Sequence, residues 1–213
     1  NEPIKLERLL YILAGQIGGI VSINSIATDL GLTSPTVHQY LEYLQRAFLI
    51  FLLPNYSKSE ESVQRRGRKV YFVDGALRNA ALFRGIAPTQ DQAEMGVLLE
   101  NAAAAHLHAL GLQTGIRLFH WKDGPREVDL IYDHPALPMA FEITASARHN
   151  LDGLRALSQR YPSFQGRCFL VSTNRTMLTP AESGDGIGRI PFDRFLLAVS
   201  GQAAKSLDAR LVL

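Results

Sequence analysis

Apolar residues recur at helical spacing from the start of the chain. Ile4, Leu6, Leu9, Leu10 and Leu13 predict a first helix over residues 4–16, ended by Gly18-Gly19. Ser22 opens a second helix with Ile23, Ile26, Ala27 and Leu30 on one face, and Gly31 supplies its left-handed closing residue. Thr33-Ser34-Pro35 opens a third, with Ser34 expected as N-cap, Pro35 at the first helical position and Val37, Leu41 and Leu44 as the buried stripe. Two short helices around a glycine turn predict a helix-turn-helix. The apolar run 47–54 and the β-rich run 68–73 then predict two strands around a polar loop that holds Arg65-Arg66-Gly67-Arg68-Lys69. Three helices followed by a hairpin with a basic tip predict a winged helix over residues 1–88.

Residues 89–213 change character. A long helix is expected over 91–110, apolar nearly all round, with Glu100 on the face of Val97, Ala104 and Leu107. A carboxylate in such a stripe is costly to bury without a partner. Gly111 and Gly115 bracket a turn into strands over 117–122, 126–132 and 139–144. By the two-residue period, Glu127 and Asp129 share one face, as do Glu142 and Thr144, and a hairpin between these strands sets Asp129 beside Glu142. Adjacent carboxylates repel unless a cation lies between them. Mg²⁺ held by Asp129, Glu142 and the Ile143 carbonyl is one solution. A structural site paired with Arg126 or Arg148 is the other, and spacing leaves both open.

Charge and composition narrow the partners. The net charge is +2, so the chain as a whole is no electrostatic nucleic-acid binder, but residues 1–88 carry 10 Lys/Arg against 7 Asp/Glu. DNA contact through the third helix would use His38, Gln39 and Arg46, with Thr36, Glu42 and Tyr43 beside them. Arg65, Arg66, Arg68 and Lys69 would reach phosphates from the wing. A protein partner docking on the same face is the alternative reading. The one cysteine, Cys168, cannot form an internal disulfide. With no signal-like start and no apolar run of membrane-spanning length, it points to a cytoplasmic protein with no membrane partner. The start at Asn1, directly in an amphipathic stretch, reads as an excerpt from a longer protein.

The segments 97–101, 120–122, 126–131 and 140–144 resemble the PD-(D/E)XK, or restriction-endonuclease-like, domain. More closely, the chain is similar to the C-terminal region of an uncharacterised family of prokaryotic AAA-type ATPases, and Lys69–Asp74 followed by Gly75-Ala76-Leu77 also looks like theirs. The resemblance covers almost the whole chain. It implies a winged helix followed by an α/β domain over 89–213 with a central mixed sheet flanked by helices. It implies catalytic positions at Glu100, Asp129 and Glu142, with Asp129 and Glu142 as ligands of Mg²⁺. Thr144 stands where that family's pattern has its catalytic lysine, and a hydroxyl supplies no cation to the developing charge. Lys122 and Lys205 are the only lysines after residue 88. Arg148, Arg155 and Gln159 are further residues placed to reach the site.

These features predict an accessory C-terminal region of a AAA-type ATPase, binding DNA or a protein partner, with a degenerate nuclease-like site. Two alternatives stand beside it: an active Mg²⁺-dependent endonuclease using Asp129 and Glu142, and a winged-helix transcription regulator whose back half senses a ligand. The chain holds no P-loop, so ATP would enter only through an N-terminal module outside it. The glycine-rich run 183–188 lacks a P-loop's Gly-Lys-Ser/Thr end and reads as a surface loop. His106 and His108, two apart on a helix, do not share a face.

Overall fold

A computed structural model describes residues 2–65, 67–85, 91–146 and 149–211. Three helices come first: α1 (Glu2–Ala14), α2 (Ile23–Leu30) and α3 (Ser34–Arg46). Ser22 caps α2 through the Ser25 N–H, and Gly31 closes it at φ 58°. The N-cap of α3 is Thr33, one residue before the expected Ser34, because the Thr33 hydroxyl takes the Thr36 N–H at 3.3 Å. Leu9, Leu13, Ile26, Leu30, Val37 and Leu41 form the core among these helices.

The strands β1 (Ile50–Leu53) and β2 (Lys69–Phe72) pair antiparallel, with Ile50 opposite Phe72. The segment between them is not a simple loop, since it holds the short helix α4 (Glu60–Arg65). Side-chain alternation divides this pair between two cores. Ile50, Val70 and Phe72 pack with the N-terminal helices, while Phe51, Leu53 and Tyr71 pack into the core of the second half. All four residues of β2, Lys69 included, are therefore buried. After α5 (Gly75–Ala81), Asn101 seats β2: its side-chain amide accepts the Phe72 N–H at 2.8 Å and donates to the Phe72 carbonyl at 3.1 Å.

The helix α6 (Gln92–Thr114) runs on through Gly111, a turn longer than expected, and Gly115 closes it in the left-handed region. A five-stranded sheet follows in the order β3 (Leu118–Asp123), β4 (Arg126–Tyr132), β5 (Met139–Thr144), β6 (Cys168–Ser172), β7 (Ile187–Pro191). The β3–β4 and β4–β5 pairs are antiparallel; β5–β6 and β6–β7 are parallel. α6 and α8 (Phe192–Leu211) lie together against one face, and α7 (Asp152–Arg160), which connects β5 to β6, packs on the other, mainly against β4. The chain after β1 reaches this sheet: the Tyr56 N–H donates to the His120 carbonyl and the His120 N–H to the Pro54 carbonyl. The protein is thus mixed α/β, with one mixed sheet and one small antiparallel pair. Among the described residues no helix is long and apolar enough to cross a membrane.

Candidate functional site

A register shift in the sheet aims the carboxylates. Phe119 pairs with Ile131, but Trp121 pairs with Val128, so β4 carries one extra residue opposite His120. Val128 and Ile131 consequently point into the α7 core, and Leu130 and Tyr132 into the α6 core. In an unbulged strand Asp129 would follow Ile131 to the α7 side. The bulge instead sends it, with Glu127, to the side of α6 and β2. The β4–β5 ladder ends at Leu130↔Phe141, and beyond it the Ile143 N–H donates to Asp129 Oδ2 at 3.0 Å.

Into this corner comes Lys69. Its ammonium lies 2.6 Å from Glu127 Oε1, 3.2 Å from Asp129 Oδ1 and 3.4 Å from Glu100 Oε1, with only 2% of the side chain exposed. The Tyr71 hydroxyl donates to the same Glu100 oxygen at 2.7 Å. Gly18, at φ +71°, allows the chain past α6, since a Cβ there would stand 2.7 Å from Glu100 Oε1. Lys122 binds the outer oxygen of Glu127 at 2.7 Å. Glu142 lies to one side, its Oε1 2.9 Å from His149 Nε2, while its buried Oε2 has no hydrogen-bond partner among the described residues.

The electrostatics follow from burial and these pairs. Burial works against the Lys69 charge, but Asp129, Tyr71, Glu100 and Glu127 outweigh it and hold the ammonium well above its ordinary pKa. Burial also tends to raise Glu127, yet Lys69 and Lys122 bring it below the usual carboxylate range. Glu100 and Glu142 go the other way. Desolvation, then repulsion by Asp129, pushes each up to about 7. The hydrogen bond to Glu142 raises His149. His120, wholly buried with Nε2 3.2 Å from the Gly67 carbonyl, is lowered by burial to about 4 and is neutral.

Glu142 makes the stability of the fold depend on pH. Its folded pKa, about 7, exceeds the 4.5 of the free side chain. The associated stability is present below 4.5 and is lost as pH rises through 7. His149, also raised, loses its contribution over the upper part of that range. Buried His120 acts oppositely, so the comparison is made between variants, where it cancels. Between pH 5 and pH 8 the urea midpoint of Glu142→Gln should move in the variant's favour relative to the unmodified chain. A difference independent of pH would show that Glu142 is solvated.

Several expected site residues are relocated. Lys69 is no phosphate-binding wing residue, because β2 is buried on both faces and its ammonium is enclosed by carboxylates. Arg126, one of the two arginines expected as a structural partner, is exposed at the start of β4, and Arg155, expected within reach of the site, pairs with Asp152 and Asp185. Arg66 and Arg148 lie outside the described residues, as do the side chains of Arg65 and Lys205. Gln159 is exposed on α7, and the Thr144 hydroxyl accepts the Ser146 N–H. His38, Gln39 and Arg46 are exposed on α3 as expected, although Arg46 is held by Glu42 at 2.5 Å. Arg68 is half-buried beside them, in a groove of about 740 Å³ between α3 and β1.

The arrangement does not fit a divalent cation. The ammonium occupies the space among Glu100, Glu127 and Asp129, and the second Asp129 oxygen is engaged by the Ile143 N–H. Among the described residues no group of three or more His, Cys, Asp and Glu could hold a metal ion. Sequence reasoning found Glu100, Asp129, Glu142 and the shared face of Glu127, but missed Lys69, Tyr71 and His149. The available signal was a lysine at the head of the β-rich run Lys69-Val70-Tyr71-Phe72.

This fold, a helical unit and a mixed-sheet α/β unit sharing β1 and β2, coincides with two family matches. Residues 1–89 match a domain of unknown function, DUF8612, and residues 95–191 match a second, DUF4143. No curated protein and no solved structure is significantly similar to the chain.

Proposed function

We propose that this chain is a non-catalytic binding region of the kind that accompanies AAA-type ATPases: a winged helix that engages DNA or a protein partner, set on a degenerate nuclease-like domain. The observation that carries this reading is the ammonium of Lys69 seated among the carboxylates that a nuclease would use for its metal. A site neutralised from within offers neither a Lewis acid nor an activated water. Binding falls to the exposed face of α3 and the groove beside it, which presents His38, Gln39, Glu42 and Arg68.

Two measurements test the reading. Supercoiled plasmid with Mg²⁺ or Mn²⁺ should remain intact with the unmodified chain and with Asp129→Ala alike. Gel-shift assays at low salt decide between partners. A DNA complex that weakens steeply as salt rises, and that is lost in Gln39→Ala/Arg68→Ala, assigns the α3 face to DNA. No shift with any DNA assigns it to protein. A second reading, an active Mg²⁺-dependent endonuclease, is favoured by one feature, a buried Glu142 Oε2 near Asp129 that has no partner among the described residues. Asp129-dependent plasmid cleavage would establish it and remove the first.

A further inference from the structure

The N-terminal unit contributes Lys69 to the carboxylate corner of the sheet, and that side chain is buried. Three carboxylates surround Lys69 Nζ at 2.6–3.4 Å, which matches the three hydrogens an ammonium can donate. The strand that carries it is pinned throughout. Asn101 grips the Phe72 peptide from both sides, the Gly18 N–H donates to the Val70 carbonyl, and the Val70 N–H donates to the Gly19 carbonyl. Val70 and Phe72 are buried in the N-terminal core and Tyr71 in the core below α6. With the strand held in place, the ammonium leaves the corner only by giving up its three carboxylates.

Resting on the nuclease-like reading of the carboxylates, we propose that Lys69 is a built-in replacement for the divalent cation, so that the site is closed to metal for as long as β2 lies against α6. A divalent ion bound by Asp129 would sit about 2.1 Å from its oxygen. The ammonium already lies 3.2 Å from that carboxylate. Two cations would then share one small buried space, where repulsion is poorly screened. Charge balance favours the occupant present. Glu100, Glu127, Asp129 and Glu142 face Lys69, Lys122 and His149, leaving little negative charge to attract a second cation. Metal binding and the seating of β2 therefore oppose one another, and each weakens the other by the same factor.

The test uses the whole chain and Mn²⁺ alone, with free Mn²⁺ read by electron paramagnetic resonance and folding read by circular dichroism. The unmodified protein should bind no Mn²⁺ that Asp129→Asn abolishes. Lys69→Met, which keeps most of the side-chain volume without the charge, should bind Mn²⁺ at least tenfold tighter than the unmodified chain. That gain should vanish in Lys69→Met/Asp129→Asn. Asp129-dependent Mn²⁺ binding by the unmodified chain overturns the proposal, as does a folded Lys69→Met that gains none. Should neither Lys69→Met nor Lys69→Ala fold, the unmodified chain decides: Asp129-dependent binding refutes the proposal and its absence sustains it. Asp129-dependent Mn²⁺ binding by the unmodified chain without plasmid cleavage would sink this inference and leave the non-catalytic reading standing, whereas Asp129-dependent cleavage by that chain would remove both.

Discussion

Lys69→Met should lower the free energy of unfolding by about 3–5 kcal/mol, the usual cost of removing one partner from a buried ion pair. The loss comes less from a missing attraction than from what remains. Glu127, held below the ordinary carboxylate range by Lys69 and Lys122, would lose one of its two cations, and Asp129 and Glu100 would face each other across an apolar gap. For a chain of this size each kcal/mol moves the melting midpoint by about 2–4 °C, so a fall of roughly 6–20 °C is expected. The double variant Lys69→Met/Asp129→Asn should recover part of it, because it removes an uncompensated buried charge. Urea unfolding followed by circular dichroism measures both. A single variant within about 1 kcal/mol of the parent would mean that the ammonium is not enclosed as described.

Gly153→Ala should be comparably damaging for a different reason. A Cβ at this position, in the first turn of α7, would lie 1.7 Å from the Glu127 carbonyl oxygen and 2.8 Å from its carbon. Such a contact is with backbone, so no side-chain rotation relieves it. Either α7 moves off the sheet, opening the core around Leu154, Leu157 and Trp121, or β4 shifts and carries Glu127 away from Lys69. Overpacking typically costs about 1–3 kcal/mol, and a backbone clash belongs at or above the upper end. The variant should melt well below the parent. Gly31→Ala serves as the control, since a Cβ there meets nothing within 4 Å and only its left-handed backbone is strained. If Gly153→Ala matches that control, α7 does not pack as closely as the structure has it.

Both predictions concern contacts that sequence patterns cannot express. Local signals were legible because they are local. Ser22 and Gly31 bound α2 through hydrogen bonds within a few residues, and the three strands 118–123, 126–132 and 139–144 follow from β-rich runs broken by turn residues. Even the one-residue error at Thr33 is local: its hydroxyl takes the Thr36 N–H, while the Ser34 hydroxyl donates to Asn24. Glu100, Asp129 and Glu142 were also readable as chemistry, since carboxylates in apolar stripes must find partners.

The identity of that partner was not readable. Thr144, in the position of the expected lysine, points to a missing cation, whereas the fold supplies one from a strand 60 residues before Asp129. Lys69 closes a basic run and so reads as solvated. Its burial depends on β2 lying between two cores, a fact about helices on either side rather than about Lys69-Val70-Tyr71-Phe72 itself. The direction of Asp129 likewise depends on a bulge opposite His120, which breaks the two-residue period that a strand pattern assumes. The sequence by itself determined the elements, their caps and the presence of acidic groups that must be neutralised. Only the tertiary structure decided that a lysine of the N-terminal unit neutralises them. Pairing over such separations is set by the packing of whole layers, not by the chemistry of adjacent residues.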